Sequence, residues 1–345
     1  MTDHRADGIP LEVGEDDARR LVEASELRRA SRRSFLIGSA AAAVLAGDLG
    51  FTRAIQSERN QTQILPLDDD QARARFPTAR WVLFPGYKTS WEEGLWMLNS
   101  LRPVLSQRGQ LAVMGYSNTG LDINNVVATM NRYVANFRLE KLYFYGHSFG
   151  GMVAVEVAAR LRDRGIPVEL VFLDSSPSSR FDVRDQRMFD GVVYLYEAGV
   201  RIPSGLRGTY ELGERIIHKN ERTWRQILDQ TLEQLSPLAP SSELIQSESS
   251  YIYHFDVSRF RLSLGDTSVV FAGNPDDGTV NYSTTRARWA SALPENVRDV
   301  DYVTEGALPA HASPQWNAGI YQDILTAVQR EYAPLPGGGG GMRYF

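Results

Sequence analysis

Short apolar runs alternate with helical stretches along most of this 345-residue chain, from Ala79 to Tyr332. The runs that predict strands are WVLF (81–84), LAVM (111–114), LYFY (142–145), VELVFLD (168–174), SVVFAG (268–273) and VRDVDYVTE (297–305). Amphipathic segments at 122–137 and 317–332 predict helices. Strands that alternate with helices form βαβ units, in which helices flank a mainly parallel sheet. The alternation therefore predicts an α/β fold.

The alternation stops at about residues 180–262. This interval contains helical stretches such as TWRQILDQTLEQL (223–235), joined by turns rich in Pro and Ser. It predicts a helical cap inserted into the sheet domain. Its aromatic side chains are candidates either for the wall of a substrate pocket or for the core of the cap itself: Tyr194, Tyr196, Trp224, Tyr251, Tyr253 and Phe255. The Gly-rich end of the chain, 334–345, predicts a flexible tail.

The composition excludes several kinds of site. The chain has no cysteine, so it has no disulfide, thiolate metal site or cysteine nucleophile. Its five histidines form no H-x-x-x-H pair, and we predict neither a metal nor an organic cofactor. The net charge is −5 and the body of the chain has no Lys/Arg-rich run, so a nucleic acid partner is not predicted.

The first 46 residues predict a leader rather than part of the fold. Arg32 and Arg33 precede an uncharged segment at 34–47, which is shorter than the roughly 20 residues that cross a bilayer. Its length suits the apolar region of a signal peptide, with a small-residue cleavage site ending at Ala46. The segment resembles a twin-arginine export signal. We expect residues 47–345 to form the exported, folded domain; an uncleaved segment that anchors the protein to a membrane is the alternative.

The segment Gly146-His147-Ser148-Phe149-Gly150 is a G-x-S-x-G motif between a predicted strand and a predicted helix. A residue on such a tight corner takes an unfavourable backbone conformation, and small residues are needed at Gly146, Gly150 and Gly151 to avoid collisions. In return, the Ser148 hydroxyl lies at the N-terminus of a helix, whose dipole favours negative charge. The motif predicts that Ser148 is a nucleophile; a Gly-rich turn with an incidental serine is the alternative.

A serine nucleophile requires a base, which in this arrangement follows the serine and an acid along the chain. His311 lies in the loop between the last predicted strand and the final helix, where a parallel sheet presents its chemistry. Asp277, in the segment after the strand 268–273, is the preferred acid. Asp174, which ends the strand 168–174, is the second choice and Asp276 the third.

Two backbone N–H groups are expected to form the oxyanion hole. Phe149 supplies one, because it follows the nucleophile. The other is predicted at Tyr87, in the loop after the first predicted strand, since Pro85 has no N–H and Gly86 permits close approach.

With these residues, the chain resembles the α/β-hydrolase superfamily over residues 79–332, apart from the cap. The resemblance implies an α/β-hydrolase fold and a serine hydrolase that works through an acyl-enzyme. The superfamily usually has His-Gly where this chain has Pro85-Gly86, which leaves only a backbone role at that position. Residues 146–177 resemble thioesterase domains that release polyketide and peptide products, and in those domains the acid commonly lies at the position of Asp174.

The predicted function is cleavage of a small-molecule carboxylic ester or thioester. The alternatives are an amide or peptide hydrolase, a cofactor-free haloperoxidase-like enzyme, and a catalytically silent binding protein with the same fold.

Overall fold

The computed structural model of the protein describes residues 58–184 and 240–334. Three predictions lie outside these residues: the leader 1–46, the cap helix 223–235 with the rest of 185–239, and the tail from residue 335 onward.

The described residues contain one seven-stranded sheet. Its strands are β1 (Gln63–Leu67), β2 (Ala79–Phe84), β3 (Gln110–Gly115), β4 (Lys141–His147), β5 (Leu170–Asp174), β6 (Ser268–Gly273) and β7 (Tyr302–Val303). Their order across the sheet is β1-β3-β2-β4-β5-β6-β7. Strand β1 pairs antiparallel with β3, and every other pairing is parallel. The predicted, mainly parallel sheet is confirmed.

The last predicted strand, 297–305, is wrong in its extent. Only Tyr302 and Val303 pair with β6, while Val297 forms a single bridge with Val269. Between these points the chain bends at Asp299, and the exposed carboxylates of Asp299 and Asp301 form ion pairs with Arg286.

Seven α-helices lie in the described residues. They are α1 (Asp70–Arg75), α2 (Trp91–Leu105), α3 (Ile123–Phe137), α4 (Phe149–Arg162), α5 (Ser242–His254), α6 (Tyr282–Ala292) and α7 (Ala318–Tyr332). The predicted helices at 122–137 and 317–332 are confirmed as α3 and α7. Asp122 precedes α3 rather than belonging to it, since its carboxylate accepts the Asn124 N–H and thereby caps the helix. No helix among the described residues is long and apolar enough to cross a membrane.

The sheet is buried on both faces. In β2, Val82 and Phe84 face a core shared with α3 and α4, whereas Trp81 and Leu83 face a second core shared with α2 and α7. All four side chains are fully buried, which is why the central strands appear in the sequence as continuous apolar runs.

The carboxyl ends of the central strands meet at one edge. Phe84 is paired with Gly146, His147 with Asp174, and Asp174 with Ala272. The loops that follow β2, β4, β5 and β6 therefore begin side by side, and the candidate site lies there.

Candidate active site

Ser148 lies on the turn between β4 and α4 in a strained backbone conformation, with φ of 50° and ψ of −122°. Such a conformation costs a non-glycine residue on the order of 1–3 kcal/mol. Two backbone hydrogen bonds hold it: the Ser148 N–H donates to the Asp174 carbonyl (2.8 Å), and the Ser148 carbonyl accepts the Gly151 N–H (3.0 Å). The sharp turn expected from the sequence is confirmed.

The glycines of the motif make this turn sterically feasible. A Cβ atom at Gly146 would collide with the backbone of Gly151, and one at Gly150 would collide with the carbonyl oxygen of Phe84. A Cβ at Gly151 would collide with the Ser176 hydroxyl. The predicted need for small residues at all three positions is confirmed, and the contact at Gly150 shows that α4 begins directly against the end of β2.

A chain of hydrogen bonds links Ser148, His311 and Asp277. The Ser148 Oγ lies 2.7 Å from the His311 Nε2, and the His311 Nδ1 lies 2.7 Å from the Asp277 Oδ2. Because the carboxylate only accepts, the Nδ1–H donates to it, and the Nε2 is left to accept the serine proton. The side chain of His311 is 21% exposed and that of Asp277 is 2% exposed. The three residues that the sequence indicated therefore lie together.

The loop after β6 fixes the Asp277 carboxylate through its second oxygen. Asp277 Oδ1 accepts the N–H groups of Thr279 (2.8 Å) and Val280 (2.9 Å), so the turn chemistry in this segment also orients the acid. Burial raises the pKa of Asp277, but the His311 ring and these N–H donors together outweigh it and hold the pKa below its usual value. The carboxylate is therefore charged beside the imidazole.

Neither of the two other candidate acids forms a hydrogen bond with His311. Asp174 is fully buried, and its Oδ2 accepts the Tyr145 hydroxyl (2.8 Å). Burial raises the pKa of Asp174 to about 7, even though the Tyr145 hydroxyl and His311 lower it. Asp276 is exposed, and its N–H donates to the Asn274 side chain. The structure thus joins Asp277, rather than Asp174 or Asp276, to the histidine.

His147 contributes to the site in a way that the sequence reasoning missed. Its Nε2–H donates to the carbonyl of Ala312 (2.7 Å), the residue after His311, and so ties the histidine loop to the nucleophile turn. Burial lowers the pKa of His147 to about 4, so the ring is neutral at pH 7. A Cβ at Gly86 would collide with this ring. The sequence contained one indication of this role, which is that His147 directly precedes Ser148 at the end of the same strand.

The two predicted oxyanion donors lie in adjacent segments. Phe149 is the first residue of α4, so its N–H has no acceptor within the helix. Tyr87 lies in a turn that the Thr89 N–H closes on the Gly86 carbonyl (3.1 Å). The start of α4 packs on the end of β2, and the turn that contains Tyr87 begins just after that strand end. The turn therefore starts beside the nucleophile. The oxyanion role of both residues remains a prediction.

Three of the six predicted cap aromatics are described. Tyr251 donates to the Glu156 carboxylate (2.6 Å), and its ring packs edge-on against Phe149. Phe255 is buried beside Trp289, and the Arg180 guanidinium lies 4.0 Å from the ring centre of Tyr253. Tyr251 and Phe255 thus pack against α4 and α6 of the sheet domain, whereas the Arg180 partner of Tyr253 lies within the segment 180–262. These contacts do not identify the three rings as a separate core of the cap. Tyr194, Tyr196 and Trp224 lie outside the described residues.

In residues 58–184 and 240–334, no group of three or more His, Asp or Glu side chains is arranged to hold a metal ion.

Comparison with known families gives a match to the Thioesterase domain at residues 123–191, about a fifth of the chain. A comparison with curated proteins gives no match. The domain match begins at α3 and includes the whole nucleophile turn, β5 and Asp174.

Solved structures with a similar fold are numerous. MenH from S. aureus has a TM-score of 0.56 at 10% identity, over 79% of this chain and 99% of that one. The enol-lactonase from Burkholderia xenovorans LB400 has a TM-score of 0.56 at 13% identity, over 78% and 96%. A carboxylesterase structure from Nitrososphaera gargenis has a TM-score of 0.54 at 13% identity, over 79% and 95%. The predicted α/β-hydrolase fold is confirmed, and the fold and the domain match together support an α/β-hydrolase-type hydrolase.

Proposed function

We propose that this α/β-hydrolase-fold protein is a serine hydrolase that cleaves carboxylic esters or thioesters through an acyl-enzyme. The observation that carries the proposal is the pair of 2.7 Å contacts from the Ser148 Oγ to His311 and from His311 to the charged Asp277. A serine with a base in hydrogen-bonding distance, itself oriented by a carboxylate, is the arrangement that activates a hydroxyl group.

In the proposed mechanism, the Ser148 Oγ attacks the substrate carbonyl carbon while its proton passes to the His311 Nε2. Asp277 keeps the Nδ1 protonated and stabilises the imidazolium that forms. The tetrahedral intermediate then collapses, and the imidazolium returns the proton to the leaving alcohol or thiol. A water molecule, deprotonated by His311, attacks the acyl-enzyme in the same way and releases the carboxylic acid and the free serine.

The negative oxygen of each tetrahedral intermediate would accept hydrogen bonds from the Phe149 and Tyr87 N–H groups. Each such donor commonly contributes about 3–4 kcal/mol of transition-state stabilisation. The N-terminus of α4 adds a favourable dipole at the same position.

Thioesters are included as substrates because the Thioesterase domain match covers the nucleophile turn and its helix. Esters are included because a thioester and an ester pass through the same tetrahedral oxyanion, which the same residues would stabilise.

The test compares wild type with Ser148→Ala on matched p-nitrophenyl esters and acyl thioesters of several chain lengths. We expect wild type to hydrolyse at least one of the two series, and Ser148→Ala to lose about 10⁴-fold or more in kcat. Ser148→Ala with wild-type turnover would disprove the proposal. Wild-type activity against anilides alone would replace ester hydrolysis with amide hydrolysis.

We further propose that residues 1–46 direct export through the twin-arginine pathway, after the enzyme has folded. The support is the Arg32-Arg33 pair ahead of a 14-residue uncharged segment. A reporter fused to residues 1–50 should be exported, and changing both arginines to lysine should abolish its export. Unchanged export of the lysine variant would disprove this assignment.

A further inference from the structure

Glu248 is a fully buried carboxyl group on α5, a helix within the segment 180–262. Its Oε2 accepts the backbone N–H of Lys88 (3.2 Å). Among the described residues, its Oε1 has no hydrogen-bond partner. A buried carboxyl with one orphaned oxygen is costly for a fold, so its presence calls for a reason other than packing.

The Glu248 Oε2 accepts its hydrogen bond from the turn that contains Tyr87, the predicted oxyanion donor. Lys88 has a φ of 62°, a conformation that is unfavourable for a residue with a side chain. The hydrogen bond from its N–H to Glu248 offsets part of this strain and fixes the orientation of the peptide next to Tyr87.

Neighbouring contacts hold the same turn. The Tyr87 hydroxyl lies 2.8 Å from the Ser249 Oγ, one residue along α5. The Tyr116 hydroxyl donates to the Pro85 carbonyl (3.4 Å). The turn after β2 is therefore attached to α5 at two successive residues, Tyr87 and Lys88.

We propose that Glu248 is a positioning residue that holds the Gly86–Thr89 turn in the conformation that directs the Tyr87 N–H at the oxyanion. This role rests on the proposed function, because it acts on the transition state of the same reaction. Glu248 touches neither Ser148 nor His311 in the hydrogen-bond network, and its effect passes through the backbone of Lys88.

The charge state of Glu248 decides which replacement preserves the role. Burial raises the pKa of Glu248 to about 8, although the Lys88 N–H and ammonium group lower it. The facing titratable groups are Lys88 and Tyr116, and burial raises the pKa of Tyr116 well above its usual value. Glu248 is thus neutral at pH 7, and a glutamine, which is neutral and accepts through its amide oxygen, reproduces its contact with Lys88.

The test uses Glu248→Gln, Glu248→Leu and, as a matched control on the same helix, the half-buried Glu243→Leu. At pH 7, we expect Glu248→Leu to lose about 10- to 100-fold in kcat on the best ester, with KM within about threefold of wild type. Glu248→Gln and Glu243→Leu should retain kcat within about threefold of wild type. Binding of a trifluoromethyl ketone, which forms an oxyanion with the serine, should weaken in Glu248→Leu in parallel with kcat.

Wild-type kcat in a folded Glu248→Leu would overturn the inference, and so would an equal loss in Glu248→Gln. A wild-type enzyme without ester or thioester activity would refute the proposed function instead, so the two failures are distinguishable. If Glu248→Leu does not fold, Glu248→Met provides the same test, because its unbranched side chain fills the same space and has no oxygen to accept the Lys88 N–H. We then expect the same loss of about 10- to 100-fold in kcat at constant KM, and an unchanged kcat would overturn the inference.

Discussion

Asp174 ends β5 and Asp277 follows the neighbouring parallel strand β6, and the two carboxyl groups differ in their surroundings. Asp277 accepts two backbone N–H groups and the His311 ring, which keep it charged. Asp174 accepts one tyrosine hydroxyl in a fully buried position. The sequence indicated both residues because each lies at the carboxyl end of a predicted strand, at the same edge of the sheet. It could not rank them by their partners, since the turn that aims Asp277 is a three-dimensional feature.

The first prediction concerns the identity of the orienting acid. Asp277→Asn should lose about 10⁴-fold in kcat, because an amide cannot hold the required tautomer or stabilise the imidazolium. Asp174→Asn should stay within about threefold of wild type, because its side chain forms no hydrogen bond with the His311 ring. Steady-state kinetics at pH 7 measure both values. A large loss of kcat in Asp174→Asn, together with near wild-type kcat in Asp277→Asn, would contradict the assignment.

The second prediction is a pH-dependent stability. The pKa of Asp174 is about 7 in the folded chain and near 3.8 when unfolded. Between these two pH values, the folded state keeps the Asp174 proton that the unfolded state has lost. The resulting stabilisation is complete below pH 3.8 and is lost as the pH rises through 7. Asp174→Asn does not titrate, so its Tm relative to wild type should rise by at least about 4 °C between pH 4 and pH 8. Thermal melts measure this difference in Tm between the variant and wild type. A difference that does not change with pH would mean that folding does not raise the pKa of Asp174.

At the scale of elements, the central strands and long helices were predictable and the peripheral ones were not. Strand β1 contains Pro66, which lacks the N–H that a central strand must donate. The residue is tolerated because β1 is an edge strand that pairs only with β3. Helix α6 buries only Thr285 and Trp289, so its sequence shows little of the apolar periodicity that identifies a helix.

The third prediction tests the turn between β4 and α4 as a unit. Gly150→Ala should destabilise the fold by about 3 kcal/mol or more and abolish ester hydrolysis, because its Cβ would meet the rigid Phe84 carbonyl. The matched control is Gly319→Ala in α7, where a Cβ would meet no atom within 4 Å. This change should leave activity unchanged and add up to about 1 kcal/mol of stability. Chemical denaturation measures both, and a stable, active Gly150→Ala would show that the turn is not tightly constrained.

At the scale of the whole molecule, the site depends on residues that are far apart in the chain. Ser148 and His311 are separated by 163 positions, yet their side chains lie within hydrogen-bonding distance. Their proximity was predictable because parallel strands bring their carboxyl ends to one edge of the sheet. The bond from His147 to Ala312 was not predictable in this way, because it depends on how the histidine loop folds back over the turn. The packing of α5 on the turn after β2 was not predictable from the sequence either.

The central claim is that the Ser148 hydroxyl is an activated nucleophile, and covalent labelling tests it most directly. Wild type and Ser148→Ala would be treated with a fluorophosphonate, digested and analysed by mass spectrometry. We expect one adduct in wild type, on the peptide that contains Ser148, and no labelling of Ser148→Ala. An adduct on another residue, or a wild-type protein that stays unlabelled under conditions that modify known serine esterases, would contradict the claim.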